Sequence, residues 1–351
     1  MIWYWLIFSI VLFFCVIDIF KISIRTFYKK SLLSGLIILL GLFAGLRFEC
    51  DNDYLEYVRI YSQAPTLGEF FAGGYNLTDV YGEPFFVITN ILFKTIKAPD
   101  YIFLSFISFL NLFFLYKVIV GFSKYWFLSL FLYVALMYLG GGFTQIRFGV
   151  ATTLVWYGIL QYFKGRFKLS IVILICATMF HISAASAAII YFANRFLKLN
   201  LKIILCILTV SIAITLFSFS DFFVRFIGVF FGDSRYENYF LLENYTEKAS
   251  SFSIYFYSFN LLIYWLFRKQ MIRNSSTAVF FGAIFNQMAI LARFGLILQF
   301  VFIFILPYTF GIKPMRIIML VFLILYGAFR FNQYLGEESF IQEYQSVIFN
   351  K

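Results

Sequence analysis

Residues 1–47 read MIWYWLIFSIVLFFCVIDIFKISIRTFYKKSLLSGLIILLGLFAGLR, and they decide the fold. An apolar run over 2–20 is followed by Lys21, Arg25, Lys29 and Lys30, then by a second apolar run over 32–47. An apolar run of about 20 residues crosses a bilayer as a helix, because a helix satisfies its own backbone there. No basic stretch precedes the first run and no small-residue cleavage site comes after it, so it reads as a first span rather than a removed leader. The basic loop stays on the cytoplasmic side. The chain therefore emerges on the extracytoplasmic side after the second run.

Working outward, the same alternation fills the sequence. Hydrophobic residues make up 62% of the 351 positions and charged residues 13%, against about 25% charged in soluble domains. Further candidate spans lie at 100–118, 125–141, 146–163, 169–193, 200–217, 252–267, 276–292, 294–311 and 314–330. The expectation is an all-α polytopic membrane protein with about 11 transmembrane helices. It forms a single membrane domain over 1–351 with two extracytoplasmic loops, 48–99 and 218–252. The net charge of +11 comes from short Lys/Arg clusters between apolar runs. Such clusters orient spans, and no nucleic-acid partner is implied. Cys15, Cys50, Cys176 and Cys206 lack metal-ligand or pair-like spacing, so neither a disulfide nor a zinc site is expected. No cofactor is called for.

Within the first loop, 84–97 is read as a helix lying on the membrane surface. Pro84 suits a helix start, and Asn90, Lys94 and Lys97 share one face of an apolar helix. If 84–97 does not cross, Lys117, Lys124, Lys164, Arg166 and Lys168 all fall on the cytoplasmic side. Arg195, Lys198 and Lys202 read the same way, so 169–193 either does not cross or crosses twice as two short half-spans. A break near His181 would allow this, since irregular backbone at membrane depth is tolerated where it lines a cavity.

Several constellations carry chemistry. After the second span comes Arg47, then Asp51 and Asp53, then Tyr54, Tyr57 and Tyr61 at helical spacing. Carboxylates with an aromatic face suit a sugar, and a carboxylate beside an apolar surface can act as a general base. The same stretch also reads as a solvated acidic loop with an interfacial aromatic belt. Next, Gly140–Gly142 is expected to break the chain before a helix that carries Arg147 near its start. Arg147 either snorkels to headgroups or joins helix N–H groups in binding phosphate. His181, the sole histidine, sits in an apolar run, where ionisable groups mark function but a local hydrogen bond is an equal reading. Arg293 lies between two apolar stretches, at a tight turn or facing an anion. The second loop adds Arg235, Tyr236 and Tyr239, a further aromatic-polar surface of the kind that contacts glycans.

In this order and spacing the residues resemble the EpsG-like family of bacterial polysaccharide polymerases, counterparts of Wzy-type O-antigen polymerases. The carrying features are Arg47, Asp53-Tyr54-x-x-Tyr57, Glu83-Pro84-x-Phe86, Arg147-x-x-x-Ala151, Phe180-His181-x-Ser183-Ala184, Arg235-Tyr236-x-x-Tyr239 and Arg293. Asp51 stands where the family often has Gly, and Phe148 where it often has Gln. The family is in turn similar to C-type glycosyltransferases, which place a functional Asp in a first extracytoplasmic loop with membrane-surface helices.

The resemblance implies polymerisation of undecaprenyl-diphosphate-linked repeat units outside the bacterial cytoplasmic membrane. Asp53, Arg147, His181 and Arg293 are the expected catalytic residues. Arg47, Asp51, Tyr54, Tyr57, Glu83, Arg235, Tyr236 and Tyr239 are expected to bind substrate. Lipid-linked oligosaccharides, membrane lipids and a chain-length regulator are the expected partners. The competing readings are a flippase of lipid-linked sugars, a membrane O-acyltransferase and an assembly scaffold.

Overall fold

The computed structural model describes residues 1–74, 80–187, 209, 292–307, 316–336 and 341–349. The chain divides into one unit of Met1–Ala184 with Leu306–Lys351 and a second of Ala185–Ile305. Among the described residues every regular element is helical, and extended pairing is limited to two isolated antiparallel bridges. Among the described residues four helical stretches are long and apolar enough to cross a membrane. They are α1 (Ile2–Ile19), α2 (Thr26–Gly45), α6 (Asp100–Phe122) and α7 (Trp126–Tyr133) with its wide-turned continuation Val134–Thr144. Each falls on an expected span.

In α1, Tyr4, Ile7, Phe8, Val11, Cys15 and Asp18 form the buried stripe, while Phe13 is exposed. A helix apolar all round suits protein on one side and lipid on the other. Gly45 lets α2 approach α6: a Cβ there would stand 2.8 Å from the Ser105 backbone, and the Ser105 hydroxyl donates to Gly45 O at 2.9 Å. Small residues at such crossings are how membrane helices gain contact.

The bundle has two ends. At one, Asp18 receives the N–H groups of Phe127 and Leu128 at the start of α7, at 2.7 and 3.2 Å. At the other, α2 delivers Arg47. Helix α8 (Ile146–Phe163) descends from the Arg47 end, and α9 (Phe167–Phe180) returns beside it, tied by Ser170 Oγ to Gly158 O at 2.6 Å. Helix α9 stops at His181, whose backbone is extended, and a 3-10 turn comes next at Ile182–Ser186. The expected break at His181 is present. The expected spans at 200–217, 252–267 and 276–292 lie almost wholly outside the described residues.

The first loop builds α3 (Tyr54–Gln63), a short turn α4 (Leu67–Glu69) running into a wide turn Phe70–Gly74, and α5 (Pro84–Thr95). Twelve residues of α5 span about 18 Å, well short of a hydrocarbon layer of about 30 Å. Phe86 meets Tyr57, and Lys94 donates to Ser62 O at 3.1 Å, so α5 lies alongside α3. Its orientation differs from the expectation. Asn90 is fully buried and its amide donates to Phe86 O, whereas Ile88, Leu92 and Ile96 are exposed. The outward face is the apolar one, and the asparagine closes a local bond inward.

The glycines also behave differently. Gly140–Gly142 stay inside the continuous wide helix, and the chain breaks at Gln145, with φ −88 and ψ 68. The glycines serve close packing: a Cβ on Gly149 would stand 2.1 Å from Gly141 O, and one on Gly142 2.5 Å from the Tyr133 hydroxyl. The second unit contributes α10 (Ala292–Gln299) and α11 (Phe302–Ile305). Back in the first unit, α12 (Arg316–Gln333) packs on the wide segment through Gly327 against Ala135 and Phe131.

Candidate functional site

Arg47 is the first polar residue after α2, and it is fully buried. Its Nε donates to Asp51 Oδ2 at 2.6 Å and its Nη1 to Ala44 O at 2.8 Å. The rings of Phe143 and Tyr54 stand 5.1 and 5.9 Å from the guanidinium carbon. The other oxygen of Asp51 accepts the N–H of Asp53 at 3.1 Å. Asp53 is half-buried and occupies the N-cap position of α3. The two carboxylates, alike in sequence, are thus separated by environment. Asp51 is sealed against an arginine, and Asp53 stands at the open start of a helix.

One turn into α3, Tyr57 meets Arg147. The guanidinium donates toward the Tyr57 hydroxyl and lies over the rings of Tyr57, Tyr81 and Phe86 at 5.8, 5.2 and 5.2 Å. Its Nη1 donates to Glu83 Oε2 at 3.0 Å, and its Nε makes no hydrogen bond among the described residues. Residues 57, 81, 83, 86 and 147 are thus gathered from α3, the segment before α5, α5 and the start of α8. Gly82 permits this: its φ is +135, and a Cβ there would stand 3.0 Å from the Phe86 ring. Burial first, and the Asp53 charge in part, push Tyr57 up to about 12 against the pull of Arg147. The hydroxyl keeps its proton at neutral pH and remains a donor. Burial likewise raises Tyr54 to about 12.

His181 is at the same end. Its ring meets Phe148, the neighbour of Arg147, edge-on at 5.6 Å, and Phe180 meets Phe85 at 6.0 Å. The His181 Nδ1 accepts the Ser183 N–H at 3.2 Å, which leaves Nε2 to carry the proton of the neutral ring. Within the first unit, the structure brings together Arg47, Asp51, Asp53, Tyr54, Tyr57, Glu83, Arg147 and His181. Arg293 lies exposed on α10 of the second unit. Arg235, Tyr236 and Tyr239 lie outside the described residues.

Sequence reasoning missed three features. Tyr81 joins the Arg147 cluster; an aromatic two residues before Glu83 was the available signal. Residues 341–349 pair with 46–51, through bridges Arg47 to Ser346 and Asp51 to Ile341. A buried polar group in mid-bundle links Asn111 to the Tyr133 hydroxyl at 3.0 Å and to Thr153 at 3.1 Å. Among the described residues no group of three His, Cys, Asp or Glu side chains could hold a metal ion, and Cys15, Cys50 and Cys176 are free thiols.

Taken together, the site offers a part-buried guanidinium held in place by a carboxylate and three rings. A partly exposed carboxylate stands one helical turn away. Such a set can neutralise an anionic leaving group while a hydroxyl loses its proton. Comparison with known proteins adds the family: the model described as EpsG family matches residues 30–346. No curated protein and no solved structure matches. The chain belongs to the EpsG family.

Proposed function

We propose that this EpsG-family chain is a membrane glycosyltransferase that polymerises oligosaccharide repeat units carried on undecaprenyl diphosphate. It would work at the extracytoplasmic face of the bacterial cytoplasmic membrane, in O-antigen, capsule or exopolysaccharide synthesis. The observation that carries the reading is the Arg147 cluster: a part-buried cation fixed by Glu83 at 3.0 Å, set against the rings of Tyr57, Tyr81 and Phe86, with Asp53 at the head of the same α3.

In the proposed reaction a hydroxyl at the non-reducing end of a new lipid-linked unit attacks the anomeric carbon of the growing chain. That carbon's bond to the diphosphate oxygen breaks, and undecaprenyl diphosphate leaves with the electron pair. Asp53 takes the hydroxyl proton. Arg147 stabilises the charge that develops on the diphosphate; in a site closed to water such a donor is worth more than in solvent. Glu83 holds the guanidinium plane, which leaves Nε for the anion. Tyr57, protonated at neutral pH, donates to a sugar or phosphate oxygen, and the exposed Tyr81 offers a ring face to a sugar. His181, with Nε2 protonated, supplies a further donor at the same end.

The test is purified wild-type protein in detergent with its organism's lipid-linked repeat unit, read as a glycolipid ladder on a gel. A ladder from wild type that folded Arg147→Ala protein fails to make supports the reading. Folded wild type that makes no ladder, but moves the same lipid between vesicle leaflets, replaces it with a flippase. Acyl transfer to the glycan would replace it with an acyltransferase.

A further inference from the structure

Residues 341–349 run antiparallel to the segment that leads from α2 into α3. Val347 N–H donates to Leu46 O at 3.0 Å, Phe48 N–H to Gln345 O at 3.0 Å, and Gln342 N–H to Cys50 O at 2.8 Å. The Cys50 thiol sits within this pairing and receives the Gln345 N–H at 3.0 Å. Tyr344 stacks on Phe43 with ring centroids 4.1 Å apart and donates to Phe43 O at 3.0 Å. From α1, the Tyr4 hydroxyl donates to Gln342 O at 3.1 Å.

Underneath, the side chains of Arg47 and Asp51 are sealed from solvent, both 0% exposed. Removing two charges from water is unfavourable unless the pair's remaining groups are also bonded. Asp51 meets that condition by turning its second oxygen to the Asp53 N–H. The bonds therefore run in one line, from 341–349 to 46–51, from Arg47 to Asp51, and from Asp51 to the backbone of Asp53.

We infer that 341–349 is a positioning strap: by pairing with 46–51 and enclosing the Arg47–Asp51 ion pair, it fixes Asp53 at the start of α3. Arg47 and Asp51 are then positioning residues rather than ligands of the substrate. The inference rests on Asp53 as proton acceptor, and it extends that reading to a segment nearly 300 positions away in sequence.

The experiment uses the full chain carrying Gln342→Pro with Val347→Pro. Proline has no N–H, so two of the strap's bonds to 46–50 are lost while the residues at the site are kept. Tyr344→Phe, which removes the hydroxyl bonded to Phe43 O and leaves the strap's backbone pairing intact, is the milder companion if the double variant fails to fold. Hydrogen exchange over 46–57 is followed without substrate, and kcat and KM for the lipid-linked unit are measured on the same preparations. Expected for the double variant are amides around Asp53 that exchange about 10-fold faster or more. Its kcat should fall about 10-fold with KM within about 2-fold. Tyr344→Phe shows the same split at smaller size. Unchanged protection at Asp53 would overturn the inference, as would a rise in KM alone. Wild type that forms no polymer, with protection still lost in the variants, sinks the polymerase reading and leaves the strap's positioning of Asp53 supported.

Discussion

The two ends of the first unit are each organised by a buried ion pair, and they use it differently. At the Asp18 end, Lys29 donates to Asp18 Oδ1 at 2.6 Å, and the other oxygen receives two N–H groups of α7. Lys29 also lies over the rings of Trp126 and Phe127. The carboxylate acts as a helix cap supplied from another helix, with both oxygens bonded, and the arrangement is closed. At the Arg47 end, two arginines pair with two carboxylates, yet Arg47 Nη2 and Arg147 Nε are buried without a hydrogen bond among the described residues. Buried polar groups are normally satisfied, and those that are not mark strain or function. The difference separates an end built to hold the bundle from an end built to receive something.

If that contrast holds, substitutions at the two ends must fall into different classes. The largest effect is expected from Asp53→Asn, which removes the proton acceptor: the rate of ladder growth should fall about a thousandfold, with the melting temperature near wild type. Arg147→Ala should cost about a hundredfold in kcat, and Arg147→Lys should recover part of it. A Lys keeps the charge but not the fork that serves Glu83 and an anion together. At the other end, Asp18→Ala leaves Lys29 and two α7 amides without their carboxylate. It should destabilise the fold by about 3 kcal/mol in thermal melts, with kcat of the folded fraction unchanged. The smallest effect is expected from Arg59→Ala. Its pair with Glu56 is exposed on α3 and contributes little under solvent screening, so neither rate nor melting temperature should move measurably. Loss of activity in folded Asp18→Ala protein would break the comparison.

Much of the fold was legible in the sequence, for reasons tied to particular residues. The long spans came from apolar runs bounded by Lys21, Arg25, Lys29 and Lys30. Pro84 marked the start of α5. The demand for charge balance around 169–202 placed a break at His181, where α9 ends. The features that were not legible depend on distant partners. Nothing local says that Arg147 will meet Glu83, 64 positions earlier, or that 341–349 will pair with 46–51. Asn90 looked like part of an outward polar face because its spacing to Lys94 is helical. The fold instead uses its amide on Phe86 O. Gly140–Gly142 looked like a turn because glycine permits one, but here they are small residues admitting Tyr133, Tyr334 and α8. Asp18 was readable and went unread: a lone carboxylate in an 18-residue apolar helix calls for a partner at that depth.

The most direct test of the central claim counts leaving groups. Purified wild-type protein is given lipid-linked repeat unit labelled in the diphosphate, and released undecaprenyl diphosphate is measured against sugar units added to the ladder. The account predicts one undecaprenyl diphosphate per unit added, with both products lost together in Arg147→Ala. Relocation or modification of the labelled lipid with no undecaprenyl diphosphate released would contradict it.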